Sequence, residues 1–510
     1  MLRRDGQLMI KTESGYVSGF QTNDSAVSIF KGIPYAASPE GLLRWKAPEK
    51  CPSWPGVREC TKFSPSAIQL PQAPFLMWTE EFIIDTSRGY SEDSLSLNIY
   101  CPSDVNVKNK PVIVYIHGGN FVSGGNSYEI YDGEQLARRG VIFVAANFRV
   151  GILGLLACSQ LSAENPAKIS GNYQLLDQIA ALRWVRDNIS NFGGDPENIT
   201  IMGQSSGAAS ACTLSVSPMA KNLFRRVVVL GNDTLNLPVA LLLDDSGRLF
   251  TKDIYKPLSE CEREGDELLQ GRSIDDMRSM TPNELLKFPA LLPYCIDGHV
   301  LAGTFNDGVR AGLTDDYDFL VTYTASNHLY SDYSMFMIML DVNGEKDYEP
   351  SMRAFFGKYA DRAMKLYPFR GDAEEFILRI SRERYTASVM MLAALRKNSN
   401  TWLAEFTHIM PGPESEKWGA FHTSDVPYWL DHFTDKRKNF WRKEDYALGN
   451  ELVARLAAFA KTGRPEAENL PAWNPSDGSS LYRMDAGIME EVRPLDEEIY
   501  SFWRDVYCVN

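Results

Sequence analysis

The sequence has no long apolar run. No stretch of about 18 consecutive apolar residues occurs in it, and a membrane-spanning helix requires a segment of that length. The first seven residues include two arginines and then continue into a polar stretch, without the apolar segment that defines a secretory signal peptide. The sequence therefore predicts a protein with no membrane span and no secretory signal.

Cysteine is scarce as well. Eight cysteines are scattered over 510 residues, and no two of them form a Cys-x-x-Cys pair of the kind that binds zinc. So few cysteines at such spacings exclude a disulfide framework like those of small secreted domains. We therefore expect reduced thiols, a cytoplasmic location and no metal site.

Positive charge is in deficit, because 52 Lys and Arg residues stand against 66 Asp and Glu residues and leave a net charge of −14. Nucleic acids and anionic membrane surfaces bind basic patches, so neither is an expected partner. Pro- or Ser-rich linkers and internal repeats are missing too, while hydrophobic residues make up 44% of the chain, enough for a large core. We therefore predict a single domain over residues 1–510.

The most informative segment that is present is Gly-Gln-Ser-Ser-Gly at 203–207. An apolar, β-branched run precedes it at 199–202, and a small, helix-compatible run follows it at 208–214. A serine on a sharp strand-to-helix turn presents its hydroxyl outward, and glycines two residues before and after it let strand and helix approach. Ser205 is therefore the candidate nucleophile.

The sixteen-residue string around this serine, residues 192–207, resembles the nucleophile signature of the type-B carboxylesterase and cholinesterase family. Further stretches similar to this family run from Phe-Lys-Gly-Ile-Pro-Tyr-Ala at 30–36 to Phe502 and Trp503 near the end. The resemblance implies an α/β-hydrolase fold, with a large, mostly parallel central sheet, helices on both faces, and insertions over the active site. Ser94 stands where many relatives have a disulfide cysteine, which fits a reducing compartment.

The order of the apolar segments agrees with an α/β fold. Five apolar runs have the length and composition of buried strands: residues 111–116, 141–146, 223–230, 319–323 and 401–406. Residues 171–192 have apolar side chains at steps of three and four, so they predict an amphipathic helix before the serine turn. Such alternation is typical of a doubly wound sheet, in which reactive groups lie at the C-terminal ends of the strands. We expect the acidic stretch 238–292 to be an insertion that forms a lid or pocket wall, and 352–398 to be helical.

The strand predicted at 111–116 leads into His-Gly-Gly-Asn-Phe at 117–121, which resembles the oxyanion loop of the family. Acyl transfer places negative charge on the carbonyl oxygen, and the backbone N–H groups of glycines come close enough to stabilise it. We predict that Gly118, Gly119 and Ser206, the residue after the nucleophile, supply these N–H groups.

A serine nucleophile needs a general base, and histidine is the residue whose pKa suits that role near neutral pH. The chain has six histidines: His117, His299, His328, His408, His422 and His432. The order serine, acid, histidine of α/β-hydrolases excludes His117. His422 lies in Trp-Gly-Ala-Phe-His-Thr-Ser-Asp at 418–425, which is similar to the family's catalytic-histidine loop and ends on Asp425, similar to its secondary acidic residue. We predict His422 as the base and structural or solvated roles for the other five.

The acid of the triad departs from the family pattern. Beyond the strand at 319–323 the family places a Glu, and the matching position here is Asn327. An amide orients an imidazole but does not balance the imidazolium charge, and in a serine protease the exchange of the acid for Asn costs about four orders of magnitude in turnover. Two other carboxylates fit: Asp233, after the strand at 223–230, and Asp332, five residues beyond Asn327. We prefer Asp233, although either residue also fits an ordinary surface aspartate.

These features predict a serine carboxylic-ester hydrolase that forms an acyl-enzyme with a small ester and needs neither metal nor cofactor. An aromatic and methionine-rich set, on loops that approach the pocket in relatives, favours a neutral, apolar substrate, although each member also fits a core position: Phe75, Leu76, Met77, Trp78, Phe121, Met335, Phe336 and Met337. The alternative is a binding module, because the same fold also serves as a non-catalytic adhesion domain and the missing acid would suit that role. Ser205 and His422 favour the hydrolase.

Overall fold

The structure is a computed structural model that describes residues 2–4, 7–104, 107–232, 235, 239–243, 249–326, 342, 344–396 and 398–507. Its strands are β1 Leu2–Arg4, β2 Gln7–Lys11, β3 Tyr16–Gln21, β4 Val27–Pro34, β5 Val57–Glu59, β6 Ser96–Pro102, β7 Lys110–Ile116, β8 Ile142–Ala146, β9 Gly194–Gln204, β10 Arg226–Leu230, β11 Val239–Leu243, β12 Leu249–Asp253, β13 Tyr255–Pro257, β14 Tyr294–Ile296, β15 Asp318–Thr324, β16 Thr401–Phe406, β17 Leu481–Asp485 and β18 Ile488–Val492.

The α-helices surround these strands. They are α1 Glu134–Arg138, α2 Gly151–Leu155, α3 Ser159–Glu164, α4 Tyr173–Asn188, α5 Ser206–Val216, α6 Leu258–Leu269, α7 Ile274–Ser279, α8 Pro282–Leu285, α9 Phe305–Arg310, α10 Glu345–Phe356, α11 Ala360–Leu366, α12 Ala373–Leu395, α13 Ser415–Trp418, α14 Val426–Trp429, α15 Lys443–Thr462 and α16 Glu497–Val506. No helix in the described ranges is long and apolar enough to cross a membrane.

Fourteen of the described strands join one sheet. Its order is β1-β2-β3-β4-β6-β8-β7-β9-β10-β15-β16-β17-β18, with β5 paired to β3. The central strands from β8 to β17 are parallel, whereas β1 to β4, β6 and β18 pair with antiparallel neighbours along this path, and β5 pairs parallel with β3. This confirms the predicted α/β fold with its large, mostly parallel central sheet.

The strand order places a crevice at one point of the sheet. In the sheet the central strands lie side by side in the order β8-β7-β9-β10-β15, so the chain leaves β7 for its neighbour β8 and later returns to the other side of β7 as β9. Loops that leave β7 and β9 therefore diverge, and in open α/β sheets ligands bind in the crevice outside the strand ends at such a switch point. The predicted oxyanion loop follows β7 and the predicted nucleophile follows β9.

Both faces of the sheet are covered, as the alternation of side chains along β7 shows. Val112 and Val114 belong to the core under α4 and α5, while Ile113 and Tyr115 belong to the core under α15. Because successive side chains of a strand point to opposite faces, a central strand buried on both sides reads as a continuous apolar run. This is why the apolar runs of the sequence predict the central strands well.

Two expectations need correction. The stretch 352–398 is not one continuous helical segment but covers the end of α10, then α11 and α12. The breaks come at Gly357, whose φ is +52°, and before Pro368, which disfavours helical backbone in the residue it follows. The insertion at 238–292 forms β11 to β13 and α6 to α8, and none of its residues from 254 to 292, whose side chains the structure describes, lines the pocket at Ser205.

Candidate active site

Ser205 stands between β9 and α5 on a strained turn. Its φ is 57° and its ψ is −126°, a conformation that is uncommon for a residue with a side chain. Its N–H donates to the Leu230 carbonyl at 2.9 Å, and its own carbonyl accepts from Ala209 N–H at 3.0 Å. These hydrogen bonds fasten the turn to the neighbouring strand β10 and to α5, so the surrounding structure maintains the strain.

The two glycines that flank the turn are required by close backbone contacts. A Cβ atom on Gly203 would lie 2.1 Å from the carbonyl oxygen of Gly207. A Cβ atom on Gly207 would lie 2.1 Å from the carbonyl oxygen of Ile116, at the end of β7. The strand–turn–helix geometry expected from the sequence is therefore present, and the second glycine also brings α5 against the strand that leads to the oxyanion loop.

The oxyanion loop touches the serine turn at Gly118. A Cβ atom there would lie 2.8 Å from the Gln204 carbonyl oxygen and 3.0 Å from the Cβ of Ser205, so only glycine permits this approach. Gly119 has a φ of +124°, and its carbonyl accepts from Val122 N–H at 3.1 Å and Ser123 N–H at 3.0 Å, which closes a tight turn.

His117 fixes the orientation of the Gly118–Gly119 peptide. Its Nδ1 lies 2.8 Å from the Gly118 carbonyl oxygen, and its ring stacks on Phe148 with centroids 4.0 Å apart. Burial lowers the pKa of His117 to about 4, so the ring is neutral and Nδ1–H is the donor to that carbonyl. In a planar trans peptide N–H and C=O point to opposite sides, so the Gly119 N–H faces away from His117.

Ser206 N–H is the third expected donor. Ser206 is the first residue of α5, and the first N–H groups of a helix have no partner within it. The positive end of the helix dipole lies at the same place, so both effects favour negative charge beside Ser205.

His422 lies on the loop between α13 and α14 and is 5% exposed. It lines the same pocket as Ser205, Gly118 and Gly119. Asp425, three residues later, is buried and lies near Tyr115, whose pKa is raised by burial and by nearby groups that include this carboxylate. The structure thus brings together all the predicted site residues that it describes.

Gln204 is a site residue that the sequence analysis did not single out. Its amide nitrogen lies 3.3 Å from His422 Nε2 and 3.2 Å from Thr423 Oγ1, so it bridges the serine turn and the histidine loop. The sequence did contain a signal for this residue, because Gln204 directly precedes the nucleophile. As the last residue of β9 it lies at the same end of the sheet as the site.

The acid candidates Asp233, Asn327 and Asp332 lie outside the described residues, as do His328 and Met335 to Met337. The described chain ends at residue 232, directly before Asp233, and at residue 326, directly before Asn327. Gly231 N–H donates to the Thr322 carbonyl at 2.8 Å, and Ser326 Oγ donates to the Trp418 carbonyl at 3.0 Å, at the start of the histidine loop. Asp233 therefore follows a strand end beside Ser205, and Asn327 follows a residue that touches the histidine loop.

The pocket at Ser205, here the Ser205 pocket, has a volume of about 330 Å³. Within the described ranges eighteen residues line it, and they come from residues 118–123 of the oxyanion loop and its continuation, the serine turn, the histidine loop and two segments at 72–83 and 128–131. None of these lining residues is Asp, Glu, Lys or Arg. A larger cavity of about 650 Å³ shares Ile83, Tyr128 and Tyr131 with it but is lined by neither Ser205 nor His422, so we place the site in the smaller one.

A sequence profile of the carboxylesterase family matches residues 6–352 and 373–503. This chain belongs to the carboxylesterase family. The carboxylesterase is 31% identical to the fumonisin B1 esterase of Sphingopyxis macrogoltabida, over 92% of this chain and 84% of that one. It is 30% identical to the para-nitrobenzyl esterase of Bacillus subtilis, over 96% and 97% of the two chains.

Solved structures give the same relationship. A structure of PNB esterase matches the carboxylesterase with a TM-score of 0.77 at 25% identity, over 97% of this chain and 99% of that one. A carboxylesterase of Geobacillus stearothermophilus matches with a TM-score of 0.76 at 26% identity, over the same shares. The family and these relatives confirm a serine ester hydrolase of the α/β-hydrolase fold and give the binding-module alternative no support.

A buried ion-pair cluster of the carboxylesterase contacts α14, the helix that follows the histidine loop. His408 lies between two carboxylates, with Nδ1 2.5 Å from Asp485 and Nε2 2.8 Å from Asp445, which also accepts from Tyr428 OH at 2.7 Å and from Arg442 N–H at 2.7 Å. Burial lowers the pKa of His408, but the two carboxylate hydrogen bonds outweigh burial and raise it overall. His408 therefore has the structural role predicted for it and joins β16, β17, α14 and α15.

We expect the thermal stability that His408 provides to depend on pH. Because its pKa is raised on folding, its contribution is complete below the ordinary value of 6.5 and is lost as pH rises through the folded-state pKa. His408→Gln should therefore lower the apparent Tm by several degrees at about pH 6 and by much less at about pH 9. Scanning calorimetry at a fixed rate measures both differences.

The matched control is His299→Gln, because His299 is exposed. That variant should keep the wild-type Tm at both pH values. A deficit for His408→Gln that is equal at the two pH values, or larger at the higher one, would contradict the charged cluster.

Proposed function

We propose that Ser205 attacks the ester carbonyl, that His422 takes its proton, and that the N–H groups of Gly118, Gly119 and Ser206 stabilise the oxyanion. The observation that carries this assignment is the contact between Gly118 and the serine turn, which leaves no room for a side chain. Oxyanion donors have to lie beside the nucleophile, and this contact supports such a position for the loop that carries them.

The proposed cycle has two halves. In the first, Ser205 Oγ bonds to the carbonyl carbon, His422 Nε2 accepts the hydroxyl proton, and the same proton then passes to the departing alcohol oxygen. In the second, water attacks the acyl-enzyme, and His422 takes a proton from water and returns it to Oγ. Since the Gln204 amide contacts Nε2, Oγ has to replace it there when the ester binds.

We propose Asp233 as the acid that orients His422, with Asp332 as the second candidate. The end of β10 supports Asp233, since the Leu230 carbonyl accepts a hydrogen bond from the backbone N–H of Ser205 and Asn232 is buried.

We further propose that the chain forms one domain, because a single sheet includes strands from residue 2 to residue 492. The seven described cysteines are free, which supports a reducing, cytoplasmic location.

We propose that the substrate is a small, neutral and apolar ester. The Ser205 pocket supports this, since its volume is at the low end of the roughly 300–1,000 Å³ typical of ligand pockets, and the part of its lining that the structure describes has no Asp, Glu, Lys or Arg side chain. A substrate carboxylate would lose its hydration there without gaining a cationic partner.

Ethyl butanoate should therefore be hydrolysed with a kcat/KM at least about tenfold higher than monoethyl succinate, which carries a carboxylate on an acyl chain of the same length. Both reactions release a proton and are followed in a pH-stat. Equal rates would contradict the neutral-substrate proposal, and no hydrolysis of either ester would contradict the assignment of the site.

A further inference from the structure

Three large apolar side chains stand exposed on the segment that ends at Trp78, and residues 72, 73, 75 and 78 of this segment line the Ser205 pocket. Leu70, Phe75 and Leu76 are 65%, 58% and 44% exposed, and we call them the apolar lip. Single exposed apolar residues are ordinary, whereas several of them on one short segment favour a binding surface. Phe75 also lines the pocket, so the lip is continuous with it.

The backbone of the lip holds Leu76 outward at a conformational cost. Phe75 and Trp78 exchange two hydrogen bonds, each N–H donating to the other carbonyl at 3.0 Å, which leaves Leu76 and Met77 as a two-residue turn. Leu76 has a φ of 52°, a value at which such turns favour glycine or asparagine. Packing does not account for a strained and exposed leucine, and strain of this kind concentrates at functional sites.

The lip is fastened to the histidine loop. Met77 is buried, and Trp78 Nε1–H donates to the His422 carbonyl at 3.1 Å. The Trp78 ring packs edge to face against the imidazole of His422, with ring centroids 6.5 Å apart. Phe75 stacks on Trp78 with ring centroids 6.4 Å apart and an interplanar angle of 15°. A path of apolar surface therefore leads from His422 past Trp78 and Phe75 to the exposed Leu76.

The chemistry of the site decides which half of an ester follows this path. His422 has to return its proton to the departing alcohol oxygen, so that oxygen lies next to the imidazole. The substituent on the alcohol therefore leaves the reaction centre on the side of His422 and Trp78, whereas the acyl group stays with the oxyanion loop. A pocket of about 330 Å³ holds a short chain, and a longer one has to continue outside it.

We propose that the apolar lip binds the alkyl chain of the substrate's alcohol where it emerges from the Ser205 pocket. The substrate class is then a short-chain acyl ester of a longer apolar alcohol. This inference rests on the proposed function, because it takes Ser205 and His422 as the reacting groups. It adds a binding surface outside the pocket and assigns that surface to one side of the ester.

Octyl acetate and ethyl octanoate test the inference, because they are isomers that carry the long chain on opposite sides of the ester bond. Both are used below their solubility limits, with release of acid followed in a pH-stat. Leu76→Asn should lower the ratio of kcat/KM for octyl acetate over ethyl octanoate by about fivefold, since one buried methylene is worth roughly fourfold. Its Tm should be equal to that of the wild type or higher, because asparagine suits a positive φ.

Leu313→Asn is the matched control, since Leu313 is 52% exposed and lies between α9 and β15, outside the segment 70–78. It should leave both rate constants at their wild-type values. An unchanged ratio in Leu76→Asn, a loss confined to ethyl octanoate, or a loss seen only above the solubility limit would each overturn the inference. Failure of the wild type to hydrolyse any ester would instead contradict the proposed function.

Discussion

Ser205→Ala is expected to lower turnover of ethyl butanoate by about six orders of magnitude, as removal of the serine does in a comparable triad. The alanine keeps the backbone turn and the oxyanion donors but has no hydroxyl to form the acyl-enzyme. The wild type should gain the mass of one adduct after treatment with a fluorophosphonate, and the variant should gain none. Intact-mass spectrometry measures both results.

Ser53→Ala is the control, because Ser53 is exposed and does not line the Ser205 pocket. It should retain both the adduct and the activity. An adduct that persists in Ser205→Ala would move the nucleophile to another residue, and circular dichroism separates loss of chemistry from loss of fold.

The central sheet and the serine turn follow from local sequence. The strand expected at 401–406 matches β16, and the helix expected at 171–192 matches α4 followed by a short 3₁₀ turn. Buried parallel strands and amphipathic helices have characteristic spacings of apolar residues, and the glycines at 203 and 207 report close backbone contacts directly. These features depend on neighbours in sequence, so one sequence suffices to predict them.

The cross-chain contacts of the site do not follow from local sequence. Gln204 contacts His422 although the two residues are 218 positions apart in the sequence, and Trp78 contacts His422 over a separation of 344 positions. No local pattern encodes such distances, so the bridging role of Gln204 and the anchoring of the apolar lip emerge only from the folded chain. Composition likewise indicates an insertion at 238–292 without indicating which face it covers, and the residues 254–292 do not line the Ser205 pocket.

The order of the strands limits the positions that a triad acid can occupy. The strands β9, β10, β15 and β16 are adjacent, and the serine turn and the histidine loop follow the two outer members of this group. A carboxylate that reaches His422 therefore fits best at the end of β10 or of β15, which lie between them. Asp233 follows β10 and Asp332 follows β15, so the two candidates correspond to the two available strand ends.

Asp233→Asn should then lower kcat by about three to four orders of magnitude, because the imidazolium that forms at His422 loses its counter-charge, while Asp332→Asn should change kcat only a few-fold.

Asn327→Glu supplies the converse measurement. If Asp233 is the acid, a second buried carboxylate beside it would raise a carboxyl pKa, and activity near neutral pH should stay level or fall. A large loss in Asp332→Asn with little loss in Asp233→Asn would transfer the role to β15. A large gain from Asn327→Glu, with little loss in either aspartate variant, would show that the enzyme works without a triad acid.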